Sequence, residues 1–520
     1  MPVTPSYPGV YVEEIPSGVR TITGVSTSIT AFIGVANRGP TDKAVRIFSF
    51  SDYESTFGGL EESSMMSYAV QHFFLNGGGE ALIVRIVKGD AAASKIDLGG
   101  LKLRAANKGD WGNSLRAITD FQTQDQMLDK EGENRQFNLT IQEVEKKKTL
   151  AGEKIKVLRS ESFKNLPHPG KYTDENKKKA REQLARALGN SLLVRFDSGD
   201  LVTEQEEPFI ATENSGSNGL AVEPSDAMDG LDHLKRVDLF NILCIPPLQR
   251  EPEDFDATKW GDLLTSAITL CENERAILIV DPLADWTDAK TALEKSEDGD
   301  FLRSKNSVCY FPSVKISDPL RDGTLQEFAP CGVMAGVIAR TDVTRGVWKA
   351  PAGLDDGKLR GVQELAAPMS NEENGKLNQL GINCLRSFPV VGNVAWGART
   401  LMGADLLASE WKYLPVRRLA LYLEESLYRG TQWAVFEPND EPLWAQLRLN
   451  IGAFMQNLFR QGAFQGQSPK EAYFVKVDKE TTTQNDINLG IVNIVVGFAP
   501  LKPAEFVVLK FQQMTGQIDT

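Results

Sequence analysis

The sequence predicts a mixed α/β protein of several domains, with an α/β core, an inserted polar domain, and extended β arms at both ends. Three observations predict this. Short apolar runs rich in β-branched residues alternate with helix-compatible stretches, the pattern of a mainly parallel sheet. The composition turns polar and charged from about residue 91 to 228. Strand-like runs flanked by Pro or Gly stand near both ends. At about 150 residues per domain, the 520 residues make room for three or four.

In order, the first twenty residues carry Pro2, Pro5, Pro8 and Pro16. These fix φ and remove backbone donors, which excludes a helix and favours an extended arm around the run Val10-Tyr11-Val12-Glu-Glu-Ile15. Ile29 to Val35 and Ala81 to Val87 read as buried strands, each closed by a turn signal. Ser63 to Leu75 reads as the helix between them, stopped at Asn76-Gly-Gly-Gly79.

The 91–228 stretch holds charged runs such as Glu143-Val-Glu-Lys-Lys-Lys148 between short apolar patches, and reads as a solvent-facing insertion. The α/β pattern then resumes with strand runs Phe240 to Ile245, Ala276 to Val280 and Ser307 to Phe311. Trp260 to Asn273 and Ala289 to Lys295 are the helices between them.

In the last third, apolar residues at 416, 419, 420, 423 and 427 mark a helix that Gly430 is expected to stop. Asp440 is a cap candidate, with Pro442 in the first turn, for a helix whose ladder is Leu443, Leu447, Ile451, Phe454 and Leu458. A stripe so wide is a buried one. Ile487 to Phe498 and Glu505 to Met514 read as strands. In the last, Val507, Leu509 and Phe511 share one face and Phe506 and Val508 the other. Such a two-sided strand wants a partner sheet.

The net charge is −13 with pI about 5.1, so the basic footprint of a nucleic-acid binder is missing and none is expected as a partner. No run reaches the eighteen or so apolar residues of a membrane helix, and the start has no signal-peptide pattern, so cytoplasmic synthesis without membrane insertion is expected. The cysteines at 244, 271, 309, 331 and 384 are odd in number and widely spaced, hence reduced thiols and not a disulfide framework.

Candidates for chemistry are few. His72, His168 and His233 lack a second ligand at metal spacing. Gly77-Gly-Gly79 lacks the Gly-Lys-Ser/Thr of a phosphate loop. Asp281 and Asp285 follow a buried strand, where open α/β sheets bind ligands, and could hold a metal; Asp before Pro is also an ordinary turn start. Glu437 to Glu441 reads better as helix capping than as an acid/base pair. No cofactor, metal or catalytic residue is assigned.

One set of strings carries a specific resemblance. Near the start are Tyr7-Pro-Gly-Val-Tyr-Val-Glu-Glu14 and Thr27-Ser-Ile-Thr-Ala-Phe-Ile-Gly-Val-Ala-Asn-Arg-Gly-Pro40. Later come Arg345-Gly-Val-Trp-Lys-Ala-Pro-Ala352, Leu377-Asn-Gln-Leu-Gly-Ile-Asn383 and Val394-Ala-Trp-Gly-Ala-Arg-Thr400. Tyr413-Leu-Pro-Val-Arg-Arg-Leu419, Val435-Phe-Glu-Pro-Asn-Asp440 and Gly462-Ala-Phe-Gln-Gly466 complete the set. Together the sequence resembles the contractile tail sheath proteins of phages and phage-tail-like injection systems.

That resemblance implies a sheath-protein-like fold and a non-enzymatic subunit of a helical polymer in stacked rings. The polymer surrounds an inner tube, meets baseplate and tail terminator proteins, and contracts to drive the tube through an envelope. It implies assembly in a bacterial cytoplasm and N- and C-terminal arms lent to neighbours. The arm residues would be Val10, Tyr11, Val12, Ile15, Phe506, Val507, Val508, Leu509 and Phe511. The domains expected are 1–20 (arm), 21–90 with 229–365 (α/β), 91–228 (insert), 366–500 (C-terminal core) and 501–520 (arm). A tube or baseplate component, or an α/β enzyme using Asp281 and Asp285, remains the alternative.

Overall fold

The structure, a computed structural model, describes residues 20–124, 135–149, 152–203, 208–210, 215–250, 256–283, 285–297 and 302–511. Two compact units emerge. The larger comprises Ser28–Arg340 and Pro351–Ser409; the smaller comprises the described parts of Met1–Thr27, Thr341–Ala350 and Glu410–Thr520.

The larger unit is built on an eight-stranded sheet. Its spatial order is Gly392–Ala395, Ile382–Phe388, Ser307–Phe311, Ile277–Val280, Ile242–Cys244, Thr30–Gly34, Ala81–Arg85 and Val45–Ile47. The six inner strands are parallel and the two edge strands antiparallel. Thr30–Gly34, Ala81–Arg85 and Ser307–Phe311 are buried along their whole length, which is why they read as continuous apolar runs. One face packs on Pro224–Leu234 and Ala257–Asn273 through Ala227, Leu231, Leu263 and Ala267. Met65–Asn76, capped by Ser64 and ended by left-handed Gly77, meets Cys331–Arg345 at unusually close range. A Cβ on Gly332 would fall 2.2 Å from the Ala69 carbonyl oxygen, and one on Gly336 2.5 Å from that of Phe73.

Residues 95–210 hold a core of their own around Leu103, Trp111, Phe137, Leu139, Leu184 and Leu188. A four-stranded antiparallel sheet (Phe209–Ile210, Leu115–Asp120, Gln136–Thr149, Gly152–Pro167) and a three-stranded one cover it. The expected boundary at 228 lies too late, because Pro224–Leu234 already packs on the main sheet. The expected boundary at 366 lies too early: Ile382–Phe388 is a parallel strand of that sheet, and the compact units divide at Glu410.

In the smaller unit, Leu414–Thr431 and Glu441–Arg460 bury Leu419, Leu423, Ile451, Phe454 and Met455 against one another. Asp440 caps the second helix as expected, accepting the Leu443 N–H. Gly430 does not stop the first. It lies inside the helix, where a Cβ would come 2.6 Å from Ile22 Cγ2, so the missing side chain makes room for Ile22. Ile487 is not in a strand: Thr483 and Asp486 form a capping box that starts the short helix Gln484–Asn488. Only Val495–Phe498 of that run is β, paired antiparallel with Tyr473–Lys476.

Candidate assembly site

Residues 20–27 run along the two long helices of the smaller unit and are held there at Arg20, Ile22, Val25 and Thr27. The Arg20 N–H donates to Asn450 Oδ1 at 2.9 Å, and its guanidinium lies 4.3 Å from the Trp433 ring centroid. Ile22 is buried in the helical core. Gly24 sits where a Cβ would be 1.9 Å from Tyr422 Oη, and the Val25 N–H donates to Ser426 Oγ at 3.2 Å. Thr27 closes the series. Its hydroxyl donates to Asp342 Oδ2 at 2.7 Å, while Arg418 grips both Asp342 oxygens at 2.7 and 2.6 Å and the Thr27 carbonyl at 2.8 Å. Both charged side chains are almost wholly buried, 4% and 3% exposed. A bidentate pair of this kind fixes direction as well as distance.

This clamp was not found from sequence, since its partners lie 76 residues apart. The signal was Arg418 itself, a cation among the apolar positions 416, 419 and 420 of an amphipathic helix. Val10, Tyr11, Val12 and Ile15, the expected arm residues upstream of it, lie outside the described residues.

At the other end, the expected strand 505–514 is not a strand as far as Phe511, the last residue described. Phe506, Val507, Val508, Leu509 and Phe511 are 74 to 91% exposed. The alternation that suggested a strand is present, but no described strand pairs with it. The Tyr413 hydroxyl donates to Glu505 Oε2 at 3.2 Å just before this stretch.

The same unit holds the two-stranded sheet Tyr473–Lys476/Val495–Phe498. Tyr473, Val475, Val496 and Phe498 pack on the helical core. On the other face Phe474 lies over Gly497, opposite it in register, where a Cβ would meet the ring at 2.2 Å. Two strands are fewer than a sheet ordinarily needs to be stable by itself.

The enzyme candidates meet structural duties. Arg85, at the end of the strand Ala81–Arg85, donates to the carbonyls of Ala36, Asn37, Gly39 and Lys108 at 2.8 to 3.2 Å and so ties the loop after Thr30–Gly34 to that strand. Asp281 is buried and accepts the Cys331 N–H at 2.8 Å at the start of a helix; burial raises its pKa to about 7. Asp285 pairs with Lys295 at 3.1 Å instead of joining it. Among the described residues no group of three His, Cys, Asp or Glu is placed to hold a metal. Nor is any described helix long and apolar enough to cross a membrane. His72 is buried against Phe328, and burial lowers its pKa to about 4. His168 bonds the Val202 carbonyl, and burial lowers its pKa too. In the Glu437–Glu441 cluster, Asn439 accepts the Trp444 indole N–H at 2.9 Å and Glu441 pairs with Arg448. All five cysteines are free and buried.

Residues 408–514 match the family model of the phage tail sheath C-terminal domain. The tail sheath protein of Vibrio phage KVP40 is 32% identical over 127 residues, 24% of this chain and 18% of that one. The tail sheath protein of Enterobacteria phage T4 is 26% identical over 205 residues, 38% of this chain and 30% of that one. The chain thus spans less than a third of the length of either curated relative. Among solved structures, the helical sheath of the anti-feeding prophage in its contracted state shares the fold with a TM-score of 0.58 at 24% identity. That match covers 98% of this chain and 100% of the other.

Proposed function

We propose that this chain, a relative of the contractile tail sheath proteins, is the structural subunit of a contractile sheath: it polymerises helically around an inner tube and contracts to drive that tube through an envelope. What supports this most is an apolar, strand-patterned tail left exposed in the same unit as a sheet of only two strands. Donor and acceptor are unlike surfaces, so tail-to-sheet pairing between copies is heterologous and, repeated without closure, builds a helix. Backbone hydrogen bonds supply affinity, and the alternating side chains of 506–511 supply register. The N-terminal segment, led out along the Arg418–Asp342 clamp, serves as the second donor.

Contraction needs two packings of the same subunits that differ by only a few kcal/mol each. Strand exchange keeps copies tethered while their bodies move. The subunit works without catalysis or cofactor, as part of a phage tail or phage-tail-like particle assembled in the bacterial cytoplasm, against tube, baseplate and terminator proteins.

Deleting residues 505–514 tests the reading by electron microscopy and sedimentation of the purified chain. Folded subunits that form no tubular polymer are expected, where the intact chain forms them. Normal polymers from the truncated chain would refute it.

A further inference from the structure

The insert carries a feature that arm exchange leaves unused. Gln136–Thr149 and Gly152–Pro167 pair as one long hairpin down to Thr149 opposite Gly152. The neighbouring strand Leu115–Asp120 follows it only to Glu143. Beyond that residue the hairpin leaves its sheet as a two-stranded ribbon, about six residues or ~20 Å long. Its base is held firmly. Glu143 forms a buried ion pair with Arg38 at 2.5 Å, and Arg159, opposite Glu143, donates to the Ser55 carbonyl at 2.8 Å.

Past this base Lys154, Ile155, Lys156, Val157 and Leu158 are all exposed, so neither face of the strand is covered. Among the described strands Gly152–Pro167 is also the last of its sheet, with no strand paired on its outer edge. Residues 144–159 contain six Lys or Arg and two Glu, a net charge of +4 in a chain whose total is −13. An edge strand studded with lysine resists strand pairing, which points to docking by charge and not by sheet extension.

We propose that this ribbon docks on the acidic surface of a second copy of the same chain, a lattice contact separate from the terminal arms. The inference rests on the sheath reading, which puts copies side by side. Charge selects the partner: a +4 projection on a strongly acidic molecule finds its complement on the next molecule. The exposed Ile155, Val157 and Leu158 add apolar contact once it is seated.

The test is the double variant Lys154→Glu/Lys156→Glu in the full chain, with assembly measured by sedimentation and electron microscopy from about 0.05 to about 0.5 M NaCl, across which screening removes exposed charge attraction. The variant is expected to need at least about tenfold more protein to assemble at low salt, and to converge on the wild type at high salt. Its thermal midpoint should not move, since both side chains are exposed. Assembly equal to the wild type at low salt would overturn the contact and leave the sheath reading intact. A wild-type chain that stays monomeric throughout would overturn both. Unchanged assembly with lost binding to phosphatidylglycerol vesicles would overturn it in favour of an anionic lipid surface.

Discussion

Replacing Arg418 by Met removes the cation that saturates Asp342 and leaves a carboxylate 3% exposed with only the Thr27 hydroxyl donating to it. Three hydrogen bonds go at once, two to Asp342 and one to the Thr27 carbonyl. Breaking one side of a buried pair costs about 3–5 kcal/mol, most of it the desolvation of the partner left behind. Asp342→Leu should cost a similar amount by stranding the guanidinium. Removing both together, Arg418→Met with Asp342→Leu, strands neither charge and should cost about 0–2 kcal/mol. The coupling between the two sites is then about 4 kcal/mol or more. Urea unfolding followed by tryptophan fluorescence reads this directly, because Trp348 and Trp433 pack in the same unit. Single losses below about 1 kcal/mol, or a double loss equal to their sum, would refute the reasoning.

Two further outcomes follow from buried groups in the larger unit. Burial holds Asp281 near pKa 7, above its ordinary 3.8, so the folded chain binds the extra proton and loses stability as pH rises from about 4 to 7, by up to about 4 kcal/mol. His72, held near 4 and below its ordinary 6.5, works in the opposite sense, losing stability as pH falls through that interval. Asp281→Asn keeps an oxygen for the Cys331 N–H and should abolish the fall in melting temperature between about pH 6 and 7, the upper part of that interval; an unchanged slope sinks the assignment. Gly332→Ala drives a methyl into the Ala69 carbonyl and should cost about 1–3 kcal/mol in thermal unfolding, whereas Gly261→Ala, where nothing lies within 4 Å, should be neutral or stabilising.

The central sheet was legible because its strands are buried on both faces. Ala31, Ile33, Leu82, Val84, Leu278 and Cys309 leave an unbroken apolar signature. The Glu441–Arg460 helix was legible from Asp440 and a one-sided ladder. The outer part of the hairpin of Gln136–Thr149 and Gly152–Pro167 was not, since the exposed run Lys154 to Leu158 imposes no alternation and its Lys residues read as loop. The Ile487 helix was hidden by β-branched residues downstream, with the decisive signal in the Thr483/Asp486 box. For the tail the alternation was read correctly but the secondary structure was not, because a strand requires a partner and the described chain holds none for it. The clamp escaped because an ion pair across 76 residues leaves no local pattern.

The two-stranded sheet of the smaller unit has a thermodynamic consequence. If other copies complete it as proposed, each added strand is a ligand that binds only the folded form, and the melting point of that corner would belong to the population rather than to the molecule. Dilution alone should lower it, and the last subunit at a growing end, short of neighbours on one side, should be the first to open.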